Sequence, residues 1–219
     1  MALARAGESE GFWLRADRQS FGRGRQGRAW KSSSGNLFAS TLVRLRAGDP
    51  PAPTLALVAS LALYEAVAPY LAEPSQLTLK WPNDVLLGGA KLSGILLERE
   101  DDAVVIGIGV NLSSHPDDND RPSTSLARHG SAPLPDIFIR GLAPLFGEWL
   151  ERWRTRGLGP IREQWLARAL PAGTPLGVHD ADGDRLDGWF DGLTEDGALR
   201  LRLADGSVRV IHAADVFLI

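Results

Sequence analysis

Apolar and polar positions follow two different periods along this chain, and the change of period divides it. The run Phe12-Trp13-Leu14 predicts a strand between Gly11 and Asp17, and Leu37 to Leu45 predicts another. Thr54 to Leu71 reads as a buried helix, apolar almost all round and preceded by Pro50, Pro51 and Pro53. Three short apolar runs follow, Leu77 to Trp81, Lys91 to Glu98 and Ala103 to Asn111, which predict paired strands of one sheet. Ser113 to Pro135 is polar and rich in turn formers, as expected of a surface loop. Phe138, Leu142, Leu145, Phe146, Trp149, Leu150 and Trp153 then recur at helical offsets, predicting a helix with one face on a sheet. A second helix, from Pro160 to Leu170, stops at Pro171-Ala172-Gly173.

Beyond Gly173 the period falls to two. Leu199-Arg200-Leu201-Arg202-Leu203 alternates between the hairpin signals Asp196-Gly197 and Asp205-Gly206, so a small β domain is expected over 172–219, after a larger domain over 1–171.

Composition narrows the classes. With 219 residues, 44% of them hydrophobic, the chain has enough apolar material for one substantial core and a small second one. There are no cysteines, which excludes disulfides, thiolate zinc sites and a cysteine nucleophile. Four scattered histidines argue against a histidine metal cluster, and no metal site is expected of the side chains. No run of about 18 apolar residues and no secretion signal is evident, so a cytoplasmic protein without a membrane partner is expected. The net charge of −3 gives no general reason for nucleic-acid binding. From Leu176 onward nine Asp or Glu face four Arg, a local charge of −5 that suits phosphate backbones poorly.

Against that acidic background, Phe21-Gly22-Arg23-Gly24-Arg25-Gln26-Gly27-Arg28-Ala29-Trp30-Lys31 stands out. Six cations and one Asp lie between Arg15 and Lys31. Like charges in a glycine loop repel, so folding alone does not call for them; an anionic ligand would. Gly22, Gly24 and Gly27 fit Gly-x-Gly-x-x-Gly, but the polar segment Arg28 to Gly35 lacks the helix that receives a pyrophosphate in dinucleotide-binding folds. An arginine-glycine RNA-binding segment would be repeated, and this one occurs once. The functional reading is a loop that folds over an acyl-phosphate or adenylate, with Trp30 offering a flat face to a base; core packing is Trp30's alternative.

Two further motifs follow. Lys80-Trp81-Pro82-Asn83-Asp84 ends one strand, and Lys91-Leu92-Ser93-Gly94-Ile95 opens the next after Gly88-Gly89, a hairpin that would bring Asn83, Asp84 and Lys91 to one rim. Turn chemistry and an exposed strand-start lysine are the plain alternatives. Ile106-Gly107-Ile108-Gly109-Val110-Asn111 is a strand interrupted by glycines, which fits either a ring or ligand above Gly107 and Gly109 or a bend.

In this order and spacing the three motifs resemble the catalytic domain of bacterial biotin protein ligases, without the N-terminal DNA-binding domain of larger relatives. The resemblance covers nearly the whole chain. It implies an α+β fold, a central mixed sheet flanked by helices of class II synthetase type, followed by an SH3-like C-terminal domain. It implies that biotin is activated with ATP and Mg2+ as biotinyl-adenylate, then passed to a lysine of a biotin carboxyl carrier domain. By resemblance Gln19, Arg23, Gly24, Arg25 and Lys91 bind biotin, and Arg25 restrains the adenylate from escaping. Arg28, Trp30, Asn83 and Asn111 meet ATP, while Asp84 orients or deprotonates the acceptor amine. Homodimers occur in the family, and no DNA contact is implied. A Ser-Thr-Asn segment that helps to hold biotin's ring in the family does not occur before Gln19. A misplaced start codon or a truncation is the expectation that follows. A lipoate-type ligase, a non-catalytic biotin or nucleotide binder, and an RNA-binding module are the competing readings.

Overall fold

Strand alternation and helix apolarity together build two layers, seen in a computed structural model that describes residues 1–31, 33–116, 122–179 and 184–219. Ser32 of the polar run, part of the predicted 113–135 loop, and the side chain of Gln26 lie outside the described residues. The chain runs α1 (Ala2–Arg5), β1 (Trp13–Ala16), β2 (Leu37–Arg44), α2 (Leu55–Val67), β3 (Leu77–Lys80) and β4 (Asp84–Leu87). It continues through β5 (Ala90–Glu100), β6 (Ala103–Val110), α3 (Pro135–Arg156) and α4 (Leu158–Leu166). Strands β7 (Pro175–His179), β8 (Arg185–Leu193), β9 (Leu199–Arg202), β10 (Val208–Ile211) and β11 (Asp215–Leu218) complete it.

The first six strands form one sheet in the order β1-β2-β6-β5-β4-β3. Every pairing between these strands is antiparallel, and the parallel component is confined to two isolated bridges, Leu79 with Ala169 and Lys91 with Ser123. The first bridge also explains why α4 stops at Leu166 instead of Leu170. Leu79 donates to the Arg168 carbonyl at 2.8 Å and accepts from Leu170 N–H at 3.0 Å, so the chain leaves the helix to cover edge strand β3.

One strand escaped the periodicity. Val85-Leu86-Leu87 is too short between Pro82-Asn83 and Gly88-Gly89 to show a period, yet β4 pairs on both sides, so the expected single hairpin is two. Gly88 and Gly89 have φ of +59° and +77°, the left-handed pair that a two-residue hairpin turn needs.

Alternate residues of β2 and β6 sort by face. Leu37, Ala39, Val43, Val104, Ile106, Ile108 and Val110 join the main core, under α2, α3 and α4. Phe38, Ser40, Gly107 and Gly109 take the opposite face, which carries the cavity described below. Helix α2 lies between the sheet and α3, which is why it is apolar on all sides. The stretch Ala52–Tyr70 is long and apolar enough to cross a membrane by composition, and burial in this core accounts for that. Its polar interruptions are used: Trp153, Trp165 and Trp149 donate their indole N–H to Thr54 at 2.8 Å, Ser60 at 3.0 Å and Glu65 at 3.0 Å.

The last five strands form a second antiparallel sheet, ordered β10-β9-β8-β7-β11, an SH3-like unit. Leu176, Val178, Phe190, Leu199 and Val216 belong to the same apolar cluster as the helices, with Phe190 edge-on to Trp165 at 6.4 Å. Replacing Trp153, which is 0% exposed, should therefore be costly. Trp153→Ala is expected to lower the urea-unfolding free energy by roughly 3–5 kcal/mol, and Leu134→Ala, at a 72% exposed position, to change it by less than about 0.5 kcal/mol.

Candidate active site

The cavity floor is written in the strand register. Phe38, Gly109, Gly94 and Asp84 stand opposite one another across β2, β6, β5 and β4, and Ser40, Gly107 and Leu96 form the next row. Direct cross-strand neighbours share a face, so the two rows lie side by side. In the first, the Trp30 ring rests on bare backbone: a Cβ on Gly109 would sit 2.6 Å from ring carbons, and one on Gly94 3.0 Å. In the second, a Cβ on Gly107 would meet nothing closer than the Leu96 carbonyl at 3.6 Å, an ordinary van der Waals contact, and no ring covers it. The sequence expectation of a ring or ligand above Gly107 and Gly109 thus resolves into a ring at one glycine and room at the other.

The roof is the arginine-glycine loop, which is folded on itself. Gly24 N–H donates to the Arg28 carbonyl at 2.7 Å and Trp30 N–H to the Gly22 carbonyl at 2.8 Å, around a 3-10 turn at Arg25–Gly27. The loop therefore holds its guanidinium groups against the cavity by its own backbone. Arg28 forms an ion pair with Asp215 of β11, and Arg23 lies 3.7 Å from Glu98. Burial pushes the Arg25 guanidinium below its usual pKa, and Asp215 and Asp84 oppose that.

Floor and roof enclose about 580 Å³, within the range of small-molecule sites. At one end Phe38, Ser40, Leu96 and Val105 make a mostly apolar wall; Trp30, Asn83, Asp84 and Lys91 line the other. Gln19, Arg23, Gly24, Arg25 and Arg28 line it too, so nine of the ten residues singled out from sequence come together. The tenth does not. Asn111 is buried, donates its amide to the Thr124 carbonyl at 3.0 Å, and anchors the segment after residue 121 instead of facing the cavity. A strand-end Asn was an equally good anchor for the following segment, and sequence alone gave no means of choosing.

Asp84 is the electrostatic centre. It is 5% exposed, with Lys80 Nζ 2.8 Å from one oxygen and Lys91 Nζ 2.5 Å from the other. The Lys91 contact is close but bent, so that oxygen has an ion-pair partner without an aligned hydrogen bond. Burial by itself would raise the Asp84 carboxyl, but Lys80 and then Lys91 override it and bring the pKa down to about 2. Such a carboxylate is a very weak base, which favours the orienting role expected of Asp84 over the deprotonating one. Lys91 also lies 5.7 Å from the Trp30 ring centroid. Sequence reasoning missed two participants, Lys80 as a buried partner and Asp215. The Lys80-x-x-x-Asp84 spacing hinted at the first; nothing local marks the second, which comes from 131 residues beyond Asp84.

No three His, Asp or Glu side chains among the described residues are placed to hold a metal ion. Asp84, Glu98 and Asp215, the carboxylates lining the cavity, are each engaged by a cation.

Comparison with known proteins decides what this arrangement belongs to. Residues 9–111 match the model of the biotin/lipoate A/B protein ligase family, and residues 180–219 that of the biotin protein ligase C-terminal domain. A biotin–[acetyl-CoA-carboxylase] ligase of Paracoccus denitrificans is 40% identical over 96% of this chain and 92% of its own length. The chain belongs to the biotin protein ligase family. A Mycobacterium tuberculosis ligase of the same description is 35% identical over 98% of the chain and 82% of its own length. Among solved structures, the biotin protein ligase of Aquifex aeolicus in complex with biotin and ATP superposes with a TM-score of 0.87 at 26% identity, covering 100% of this chain and 94% of that one.

Two outcomes follow from this geometry. Gly109→Ala places a methyl where the Trp30 ring lies, and is expected to weaken ATP binding by tenfold or more in calorimetric titration while the fold persists. The second is a pH dependence. Asp84 titrates at about 2 in the folded chain against an ordinary 3.8, so its contribution is complete above pH 4 and lost as pH falls toward 2. That contribution is on the order of 2 kcal/mol, and Asp84→Asn should remove this part of the fall in urea midpoint on acidification.

Proposed function

We propose that this chain is a biotin protein ligase that forms biotinyl-adenylate from biotin and ATP and transfers the biotinyl group to a lysine of a carboxylase carrier domain. The observation that carries the reading is the pairing of an open, mostly apolar compartment above Gly107 with a cationic one around Trp30 and Lys91. A bicyclic ring and alkyl chain suit the first, and a carboxylate meeting a nucleotide suits the second. The name of the Paracoccus relative supports acetyl-CoA carboxylase as the acceptor's source.

In the first step an oxygen of the biotin carboxylate attacks the α-phosphorus of ATP and pyrophosphate leaves. Two anions approach each other, so Arg25, Arg28 and Lys91 offset the growing charge, and Mg2+, when bound, would supply further positive charge to the phosphates. Gln19, Arg23 and Gly24 hold biotin under the loop; Trp30 stacks the adenine, and Asn83 contacts the adenosine side. Asn111 supports the cavity indirectly, by fixing the segment that pairs with Lys91. In the second step a neutral lysine amine attacks the acyl carbon, AMP leaves, and the amine's surplus proton passes to solvent. Asp84 fixes Lys91 and Lys80 during both steps and takes no proton. A cytoplasmic reaction fits the need for ATP, and a chain without cysteine is compatible with that compartment.

The deciding assay combines the purified chain, ATP, Mg2+, an apo carrier domain and either labelled biotin or labelled lipoate. Covalent label from biotin alone is expected; label from lipoate, or binding of biotin without transfer, overturns the reading. In the same assay Lys91→Ala should slow adenylate formation by roughly 100-fold or more. Arg25→Ala should release adenylate, which would appear as label on bystander proteins.

A further inference from the structure

Lys80 is a buried cation that neither chemical step uses directly. It is 6% exposed, and its ammonium joins groups from different parts of the chain. One is the Asp84 carboxylate at 2.8 Å; another is the main-chain carbonyl of Val216, in β11 of the C-terminal domain, at 2.7 Å. Asp84 in turn holds Lys91, whose Nζ would lie 3.2 Å from a Cβ on Gly94, beside the Trp30 ring. A continuous polar chain thus runs from the C-terminal strand through Lys80 and Asp84 to Lys91.

A lysine taken so far from water is stable only where its donors are met, and a lone carboxylate would leave donors over. The Val216 carbonyl meets one of them. It exists at that spot only while the C-terminal domain is seated on the catalytic sheet. Without it, Lys80 would turn toward water and leave Asp84 to Lys91 alone, so the carboxylate would hold that ammonium more tightly and leave less of its charge for substrate oxygens. We propose that Lys80 is a positioning residue of the ligase reaction, which makes the orientation of Lys91 depend on the seating of the C-terminal domain. This rests on the ligase reading above, which the parental chain's own labelling tests separately.

The other groups facing Asp84 are Lys91 from β5 and, at longer range, Arg25 from the loop, which Arg28 and Asp215 flank. Removing Lys80's charge leaves these in place, so Asp84 should become easier to protonate.

The test measures single-turnover biotinyl-adenylate formation by Lys80→Met and, as control, Trp81→Phe. The control removes the neighbouring interdomain hydrogen bond, Trp81 Nε1 to the Gly197 carbonyl at 3.1 Å, and leaves Asp84 untouched. Lys80→Met is expected to be slower by roughly 10- to 100-fold, the range known for groups that orient metal ligands, with the acid limb of the rate moved up by roughly 1–3 pH units. Trp81→Phe is expected within about twofold of the parent with an unmoved acid limb, and Lys80→Arg is expected to recover most of the rate. On an Asp84→Asn background, Lys80→Met should add less than about a threefold loss, because its effect passes through Asp84. If Lys80→Met does not fold, Lys80→Gln, which keeps donors for both partners but no charge, is expected to show the same acid-limb movement. A parental rate and acid limb in the Lys80 variants, equal behaviour of Lys80→Met and Trp81→Phe, or full additivity with Asp84→Asn overturns the proposal.

Discussion

A carboxylate removed from water costs several kcal/mol unless cations come with it, and Asp84 is removed from water at the first residue of β4, one strand in from the sheet edge. That requirement orders much of what surrounds it. Lys80 and Lys91 arrive from the strands on either side, because the β3–β4 and β4–β5 hairpins place one before the turn and one after it. The second lysine then stands at the cavity with its charge already partly answered. An ammonium held in this way is oriented without being neutralised, which is the condition for stabilising charge that appears only during reaction.

The glycines of the floor act by what they lack. Gly94 and Gly109 pair across β5 and β6, and together they let the Trp30 ring lie on the sheet; any side chain at Gly109 would lift it. Gly107, one pair further along, leaves a gap of similar kind with no ring in it. The strand thereby sets two adjacent sites by the position of its missing side chains. Its opposite-face neighbours, Ile106 and Ile108, are fully in the core and fix the strand so that both sites keep their spacing.

These devices differ in how far sequence betrays them. The apolar helix, the amphipathic helix after Pro135 and the Leu-Arg alternation near the C-terminus are short-range patterns, and each appears as an element within a few residues of its expected bounds. The glycines of β6 were legible as an exception to strand chemistry, although which would be covered and which left open depends on where Trp30 lands. Strand β4 was too short to carry a period. Asn111 was misplaced because the partner of a strand-end amide is chosen by the chain beyond it, here Thr124. The choice between orienting and deprotonating roles for Asp84 is not legible for a similar reason: a pKa belongs to the surroundings, and Lys80 is visible in the motif but its burial is not.

Charge along the chain gains a meaning once the domains are seated. The segment Arg15 to Lys31 carries six cations and one acid, the chain from Leu176 onward nine acids and four arginines, and the two meet at Arg28 and Asp215. An acidic domain is a poor grip for a phosphate backbone, and here its acidity is turned inward on a basic loop of the same chain. Asp215 gives Arg28 an anionic oxygen partner such as a phosphate would offer, so the loop does not have to wait for a ligand to be folded. The cavity nevertheless stays cationic, with Lys80, Lys91, Arg23, Arg25 and Arg28 against Asp84, Glu98 and Asp215 on its walls. A nucleotide entering it therefore meets guanidinium groups already gathered, and competes there with Asp215 for Arg28 and with Glu98 for Arg23.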